Sequence, residues 1–568
     1  MDAALKKQNG IHYTPAKLAQ FLARQTALCI SESVDPISVL DPACGDGELL
    51  ASMVDKLINE KGRSPNSISV VGYDIDAQAV MEAEKRLERL GVGVKVVQGD
   101  FLNCDLEAGL FDCVVSNPPY VRTQVLGGTS AQKLAKKFDL RGRIDLYQAF
   151  VVAIHRMLRK GAAMGLLTSN RFLTVKSGLA TRRLLQEKFE LKQIFDLGDT
   201  RLFDAAVLPS VVCGNRRSFD SSQELKTEFH RVYCSDVTTE NGIDDVNEEL
   251  PQSIEGAGLL ELVQDPTAVG DFETIEGRFS IERGELLIGE NHSVWALANQ
   301  STREWLKQIQ SNQVSRFADL AEIKVGIKTT ADSVFIRDDW AKMGERSPEP
   351  ELVHPLITHH DATRWGISEP RKSVLYPYKM LAAKRTCVEL SSFPNANAYL
   401  QLHRSKLEGR RYLIDAGRSW FEIWVTHQPT QWAKPKIVWP DISEQPRFFL
   451  NSSGAIVNGD CYWIKLRVGV DPDWLYLILA VANSTIAIQF YDTMFHNKLY
   501  AGRRRFMTQY VNEFPLPSLN SSIGKKIVRL VKRLVETPNE SDEQKVESLV
   551  HQAFGFGNMA EYSSDASE

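Results

Sequence analysis

A chain of 568 residues is too long for one hydrophobic core, and roughly three to four domain-sized pieces is the ordinary expectation. Hydrophobic residues make up 43%, charged residues 24% and the net charge is −5, values of a soluble globular protein that argue against a general nucleic-acid binder. The eight cysteines are scattered without a C-x-x-C pair, no apolar run approaches the roughly 20 residues needed to span a bilayer, and no basic, hydrophobic leader opens at Met1. A reduced, cytoplasmic protein with no metal site and no membrane segment is expected.

Ile11-His12-Tyr13-Thr14-Pro15 precedes a helical pattern in which Leu18, Phe21, Leu22 and Ala23 share one face. Thr14 is placed as a helix N-cap and Pro15 suits a first turn. The first strand, Ile37–Leu40, runs into Asp41-Pro42-Ala43-Cys44-Gly45-Asp46-Gly47, a glycine-containing turn that opens a helix. This is neither G-x-G-x-x-G nor a P-loop, and Asp41 would repel a phosphate, so a cationic, phosphate-free ligand fits better. A second strand ends on Asp74, where an acid can accept from ribose hydroxyls, and a third leads to Gly99-Asp100-Phe101, a carboxylate beside an aromatic plate.

The fourth strand, Phe111–Val115, delivers Ser116-Asn117-Pro118-Pro119-Tyr120 to the carboxyl edge of the sheet. Two prolines cannot continue a ladder, so their carbonyls face outward beside the Asn117 amide and the Tyr120 ring. That set suits a planar base carrying an exocyclic amine. Alternating strands and helices predict a parallel sheet with right-handed crossovers. Each acid alone is an ordinary turn residue; three acids closing three consecutive strands, together with the proline tetrapeptide, form a joint pattern.

With these residues in place, the stretch from about Ile11 to Cys213 resembles an S-adenosylmethionine-dependent N6-adenine DNA methyltransferase of the gamma, TaqI-like class, as found in restriction-modification systems. Asp145–Phe150, Gly165–Asn170 and the run from Leu202-Phe203-Asp204 to Val212 match later motifs of that class in the same order. The resemblance implies an α/β, Rossmann-like class I catalytic domain followed by an α+β target-recognition domain with a helical tail. It implies S-adenosylmethionine as cofactor, held by His12, Tyr13, Thr14, Asp41, Ala43, Cys44, Gly45, Gly47, Asp74, Ile75, Asp100, Phe101, Asn117, Pro118 and Phe150. It implies a catalytic set of Asn117, Pro118, Pro119 and Tyr120, with Phe203 packing on the target base. Asp41 and Asp74 stand where some relatives carry Glu, which keeps the charge.

Between Phe219 and Glu290 lie 18 acidic and 4 basic residues; between Arg371 and Leu450, 13 basic and 6 acidic. The first stretch is expected as a connector, and basic surface in the second is what a phosphate backbone selects. The expected pieces are a catalytic domain over 1–218, an acidic connecting region over 219–300, a DNA target-recognition domain over 301–520 and a helical tail over 521–568. Alternation over Ile323–Thr330 and Ser333–Ile336 predicts strands and resembles the opening of recognition domains in that class. Candidate DNA contacts are Lys324, Lys328, Thr329, Thr330, Arg410, Arg411, Lys434, Lys436, Asn497, Lys498 and Arg503-Arg504-Arg505. Tryptophans interleaved with these cations, such as Trp432, Trp439 and Trp424, are expected in the core.

The function expected is methyl transfer to N6 of a flipped-out adenine in double-stranded DNA, by a monomer partnered with a separately encoded endonuclease. RNA adenine methylation, methylation of a protein glutamine amide and a catalytically silent DNA-specificity protein fit parts of the same residue set.

Overall fold

The computed structural model describes residues 13–557 apart from 105–107, 120–127, 141–144, 176–177, 201–207, 219–225, 235–251, 254–257, 289–293 and 496–502. The chain divides into two compact units, Met1–Ser301 and Thr302–Glu568.

In the first unit, helix α1 (Ala16–Leu28) is followed by β1 (Ile37–Asp41), α2 (Glu48–Asn59), β2 (Ile68–Asp74), α3 (Ala77–Leu87), β3 (Gly93–Gln98) and β4 (Phe111–Ser116). Then come α4 (Gly128–Phe138), α5 (Leu146–Met157), β5 (Leu158–Ser169), α6 (Leu179–Lys188), β6 (Phe189–Asp196) and β7 (Pro209–Arg216). The strand order is β3-β2-β1-β4-β5-β7-β6, with β7 antiparallel to both its neighbours and the others parallel. β4 is buried along its whole length and is apolar apart from Asp112, which pairs with Arg159, and the terminal Ser116. Helices on both faces leave the carboxyl ends of β1 to β4 open at one edge, beside the point where the strand order reverses.

The sheet continues where a connector was expected. β8 (Glu228–Cys234) pairs in parallel with β6, and β9 (Gln252–Ser253), β10 (Gly270–Thr274), β11 (Gly277–Ile288) and β12 (Trp295–Ala298) extend it to twelve strands among the described residues. Helix α7 (Leu259–Gln264) packs with them, and Leu259, Phe272, Phe279 and Ile281 share one core with Leu18, Phe21 and Val39. The described part of residues 219–300 therefore shares the core of the first unit. Among the described residues Glu228, Asp271, Glu273 and Glu282 are exposed on these strands, so their acidic charge faces water although the strands belong to the sheet.

In the second unit β13 (Ser315–Arg316) and β14 (Ala321–Val325) come first, then β15 (Ile336–Arg337), β16 (Val353–Ile357), β17 (Lys372–Leu375), β18 (Lys436–Pro440), β19 (Ile442–Ser443), β20 (Phe449–Asn451), β21 (Ile456–Val457) and β22 (Cys461–Leu466). Two four-stranded sheets, β14-β22-β18-β20 and β15-β17-β16-β21, enclose a core of Trp432, Trp463, Tyr376 and Tyr378. The strand expected over Ser333–Ile336 is instead a helical turn, Asp332–Phe335: the Thr329 hydroxyl bonds Asp332 and also accepts from the Ala331 N–H, turning the chain. Trp432, Trp439 and Trp463 are fully buried, whereas Trp424 remains 36% exposed. Helices α8 (Asp473–Ala482), α9 (Thr485–Phe495), α10 (Ser522–Glu536) and α11 (Glu540–Ala553) complete the unit. Among the described residues no single helix is long and apolar enough to cross a membrane.

Candidate active site and nucleic-acid surface

The turn after β1 is fastened to the end of β2. The Cys44 N–H donates to the Tyr73 carbonyl at 2.8 Å, and the Gly45 N–H donates to Asp74 Oδ2 at 2.9 Å. Asp74 Oδ1 accepts from the Asp76 N–H at 2.9 Å, so both oxygens orient loop backbone while the residue lines the cavity. Gly45 adopts φ +52°, and a Cβ there would stand 3.1 Å from the Tyr13 ring; the glycine lets that ring lie against the turn. Asp46 and Glu48 are both ion-paired with Arg86, the Asp46 contact at 2.9 Å.

After β3, Asp100 accepts from the Leu102 N–H at 3.0 Å and from Asn103 Nδ2 at 2.6 Å. Phe101 lies between Tyr73 and Phe150, with ring centroids 5.4 and 6.2 Å away. At the end of β4, Asn117 Nδ2 donates to Thr14 Oγ1 at 3.1 Å. α5 brings Phe150 inward from a start fixed by a capping box between Asp145 and Gln148.

These groups surround a cavity of about 490 Å³, within the range of small-molecule sites. Its lining includes Tyr13, Thr14, Ala43, Cys44, Gly45, Asp74, Ile75, Asp100, Phe101, Asn117, Pro118, Pro119 and Phe150, all nominated from sequence. Two nominees lie elsewhere. Asp41 is completely buried beneath the turn, with Oδ1 accepting from the Ala43 N–H at 3.1 Å, so it shapes the loop from below. Burial, with Asp74 adding to it, pushes its carboxyl up to about 8. Gly47 heads α2 at φ +82°, where a Cβ would come within 3.0 Å of the Ala83 backbone; it serves helix packing. His12, Tyr120 and Phe203 lie outside the described residues.

Sequence reasoning missed Leu102, Asn103, Leu146 and the α4 residues Lys133, Leu134 and Lys137, which also line the cavity. The α4 lining falls at i, i+1 and i+4, one face of a helix, but nothing local says that this face turns back onto the sheet edge.

The cavity fits S-adenosylmethionine on its chemistry. Carboxylates at the β2 and β3 ends are placed as acceptors for an adenosine, Phe101 and Phe150 offer apolar plates, and the β1 turn carries acids where a phosphate binder would need cations. The Eco57I restriction-modification methylase family matches residues 53–203, and the TaqI-like C-terminal specificity domain matches residues 378–516. The type II methyltransferase M.BanIII of Aneurinibacillus aneurinilyticus is 37% identical over 98% of this chain and 98% of its own length. The chain belongs to the type II DNA-methyltransferase family of restriction-modification systems. M.BstVI of Geobacillus stearothermophilus, another type II methyltransferase, is 23% identical over 94% of this chain and 95% of its own. The structure of the type IIL restriction-modification enzyme MmeI in complex with DNA shares the fold, at a TM-score of 0.60 and 14% identity over 98% of this chain and 78% of that one. S-adenosylmethionine is thus the methyl donor of this methyltransferase and DNA its substrate.

In the second unit of the methyltransferase the nominated cations divide sharply. Lys436 is fully buried and donates to the Trp432 carbonyl at 2.7 Å. Arg410, 6% exposed, holds the carbonyls of Leu407, Thr329 and Trp420, and Thr329 is itself buried. Arg504 grips Asp492 through two nitrogens at 2.7 and 2.6 Å, Arg505 pairs with Asp441 at 2.9 Å, and Lys324 pairs with Glu322 at 3.5 Å. Lys436, Arg410 and Thr329 are corrected from DNA contacts to parts of the scaffold, because side chains satisfied inside the protein cannot also meet phosphates; Arg504, Arg505 and Lys324 are held by acids of the protein. Lys328, Thr330, Arg411, Lys434 and Arg503 are exposed, Thr330 at a left-handed φ of 57°. Asn497 and Lys498 lie outside the described residues.

Proposed function

We propose that this methyltransferase modifies N6 of an adenine that has left the stack of duplex DNA. The observation that carries the reading is the Asn117 amide at the end of β4, opening on the donor cavity and tied at its nitrogen end to Thr14. Adenine's amine is a weak nucleophile because its lone pair is conjugated with the ring. Asn117 Oδ1 and the Pro118 carbonyl accept hydrogen bonds from the two amine hydrogens and localise that lone pair, with fixed dipoles standing in for a strong base. The bound donor supplies an electrophilic methyl on a sulfonium. Asp74 and Asp100 hold the donor's adenosine, Phe101 and Phe150 cover its base, and Tyr13 closes the turn side. Holding both reactants in line supplies much of the remaining acceleration. The surplus amine proton leaves to solvent.

Unstacking the base costs a few kcal/mol, and Tyr120 offsets about 1–3 kcal/mol of it by stacking. We place Phe203 against another side of the ring. The protein acts as a cytoplasmic monomer, with a separately encoded endonuclease cutting unmodified sites.

Tritiated-methyl transfer to duplex DNA, RNA and protein, assayed in parallel, tests the reading, followed by mapping of the modified base by long-read sequencing. N6-methyladenine at one short DNA sequence is expected. Label appearing in RNA or on protein glutamine instead overturns it. Asn117→Ala should lower single-turnover transfer at least about 10²–10³-fold with donor affinity retained. Equal loss of both would make Asn117 a structural residue.

A further inference from the structure

Once the paired cations of the second unit are set aside, one basic segment stands out. Residues 371–388 contain Arg371, Lys372, Lys379, Lys384 and Arg385 and no acid. Among the described residues only Arg385 has an acidic partner, Glu422 at 3.6 Å. The segment leaves β17 through the buried pair Tyr376 and Tyr378, then turns back on itself. Tyr378 pairs antiparallel with Cys387, the Lys379 N–H donates to the Thr386 carbonyl at 2.9 Å, and the Ala382 N–H donates to the Lys379 carbonyl at 3.1 Å. The Val388 N–H closes the base of the turn on the Pro377 carbonyl at 3.1 Å, and the Ile423 N–H donates to the Tyr378 hydroxyl at 2.8 Å. At the tip stands Leu381, 95% exposed.

A single exposed leucine normally means nothing. This one is almost wholly exposed, sits on a turn whose backbone is fixed, and is flanked on both sides by lysines that have no acidic partner among the described residues. Val468 makes the contrast: it is equally exposed, but Asp471 and Asp473 follow it.

We infer that the turn around Leu381 docks on duplex DNA, with Lys379 and Lys384 on phosphates and the Leu381 side chain entering between base pairs as a wedge. The inference rests on the DNA-methyltransferase reading. An apolar side chain driven into a base step unstacks it and kinks the duplex. Cations beside the wedge bring it to the backbone and make the association salt-dependent.

The full-length protein, given S-adenosylmethionine and plasmid DNA, first marks its own site. A short duplex carrying that site, with 2-aminopurine in turn at each purine in and beside it, then reports unstacking by its fluorescence. Leu381→Ala should weaken binding to this duplex about tenfold and dim the signal. Leu381→Met should restore both, and Val468→Ala should change neither. Lys379→Ala with Lys384→Ala should flatten the slope of log affinity against log salt by about two. Leu381→Ala behaving as wild type, or an unchanged salt slope in the double variant, overturns the inference while plasmid methylation by the wild type upholds the enzyme reading. A wild type that leaves the plasmid unmarked overturns both.

Discussion

A threonine ahead of a helix ordinarily caps it, yet the N-cap of α1 is Pro15, which makes no side-chain cap bond, and the Thr14 hydroxyl accepts from Asn117 instead. An amide on a strand end can turn about its last torsion, and a fixed acceptor on its nitrogen sets which end meets the substrate. Thr14→Val keeps the shape and removes the acceptor; single-turnover transfer should fall about tenfold, with Thr14→Ser restoring it. Lys436 is the opposite kind of residue, conspicuous in sequence and inert in the site. Burial pulls its ammonium down from 10.5 to about 8. The unfolded chain therefore holds more protons than the folded one between these values, so this lysine's penalty is full below pH 8 and fades as pH rises to 10.5. Lys436→Met should raise stability in denaturant melts below pH 8 more than above pH 10.5, and leave DNA affinity unchanged.

At the scale of elements, the tightest constraint is the crossing of α1 over β5. A Cβ on Gly165 would stand 1.8 Å from Thr26 Oγ1 and 2.9 Å from Thr26 Cβ. Thr26 is fully buried, and its hydroxyl donates back to the Leu22 carbonyl at 2.7 Å, so it has no room to withdraw. Gly165→Ala should cost about 2–3 kcal/mol in chemical denaturation. Adding Thr26→Ala should recover part of that loss, and an additive double variant would show that the two sites do not touch. The same crossing leads the chain from the donor cavity to the interior: Tyr13 and Thr14 line the cavity one turn before Leu18 enters the core.

For the molecule as a whole, what could be read from the sequence follows how local each signal is. β1, β2 and β4 were legible because mostly buried parallel strands are short, largely apolar runs that end in chemistry-bearing residues, and the half-exposed edge strand β3 by its repeated valines. Asp74, Asp100, Phe101, Asn117 and Phe150 were legible because their place at a strand end or helix start fixes where they point. Asp41 was misjudged because a carboxylate at a strand end looks the same whether it faces a ligand or lies under a loop. Charge in the second unit was legible in sign alone. Arg505 finds Asp441 across 64 residues, and no local pattern reveals such a pairing. The helix that closes the cavity with Lys133, Leu134 and Lys137 was missed for the same reason.

β8 lies against β6, taking up the hydrogen-bonding row from Gln193 to Asp196. A fragment cut at Ser218, the expected end of the catalytic domain, would present that row to water as a raw selvedge, ready to stitch onto its own copies. Expressed alone, residues 1–218 should pellet on centrifugation while residues 1–301 stay in the supernatant. Anyone trimming this enzyme to a portable methyl-transferring module must keep the acidic strands, because they are its hem.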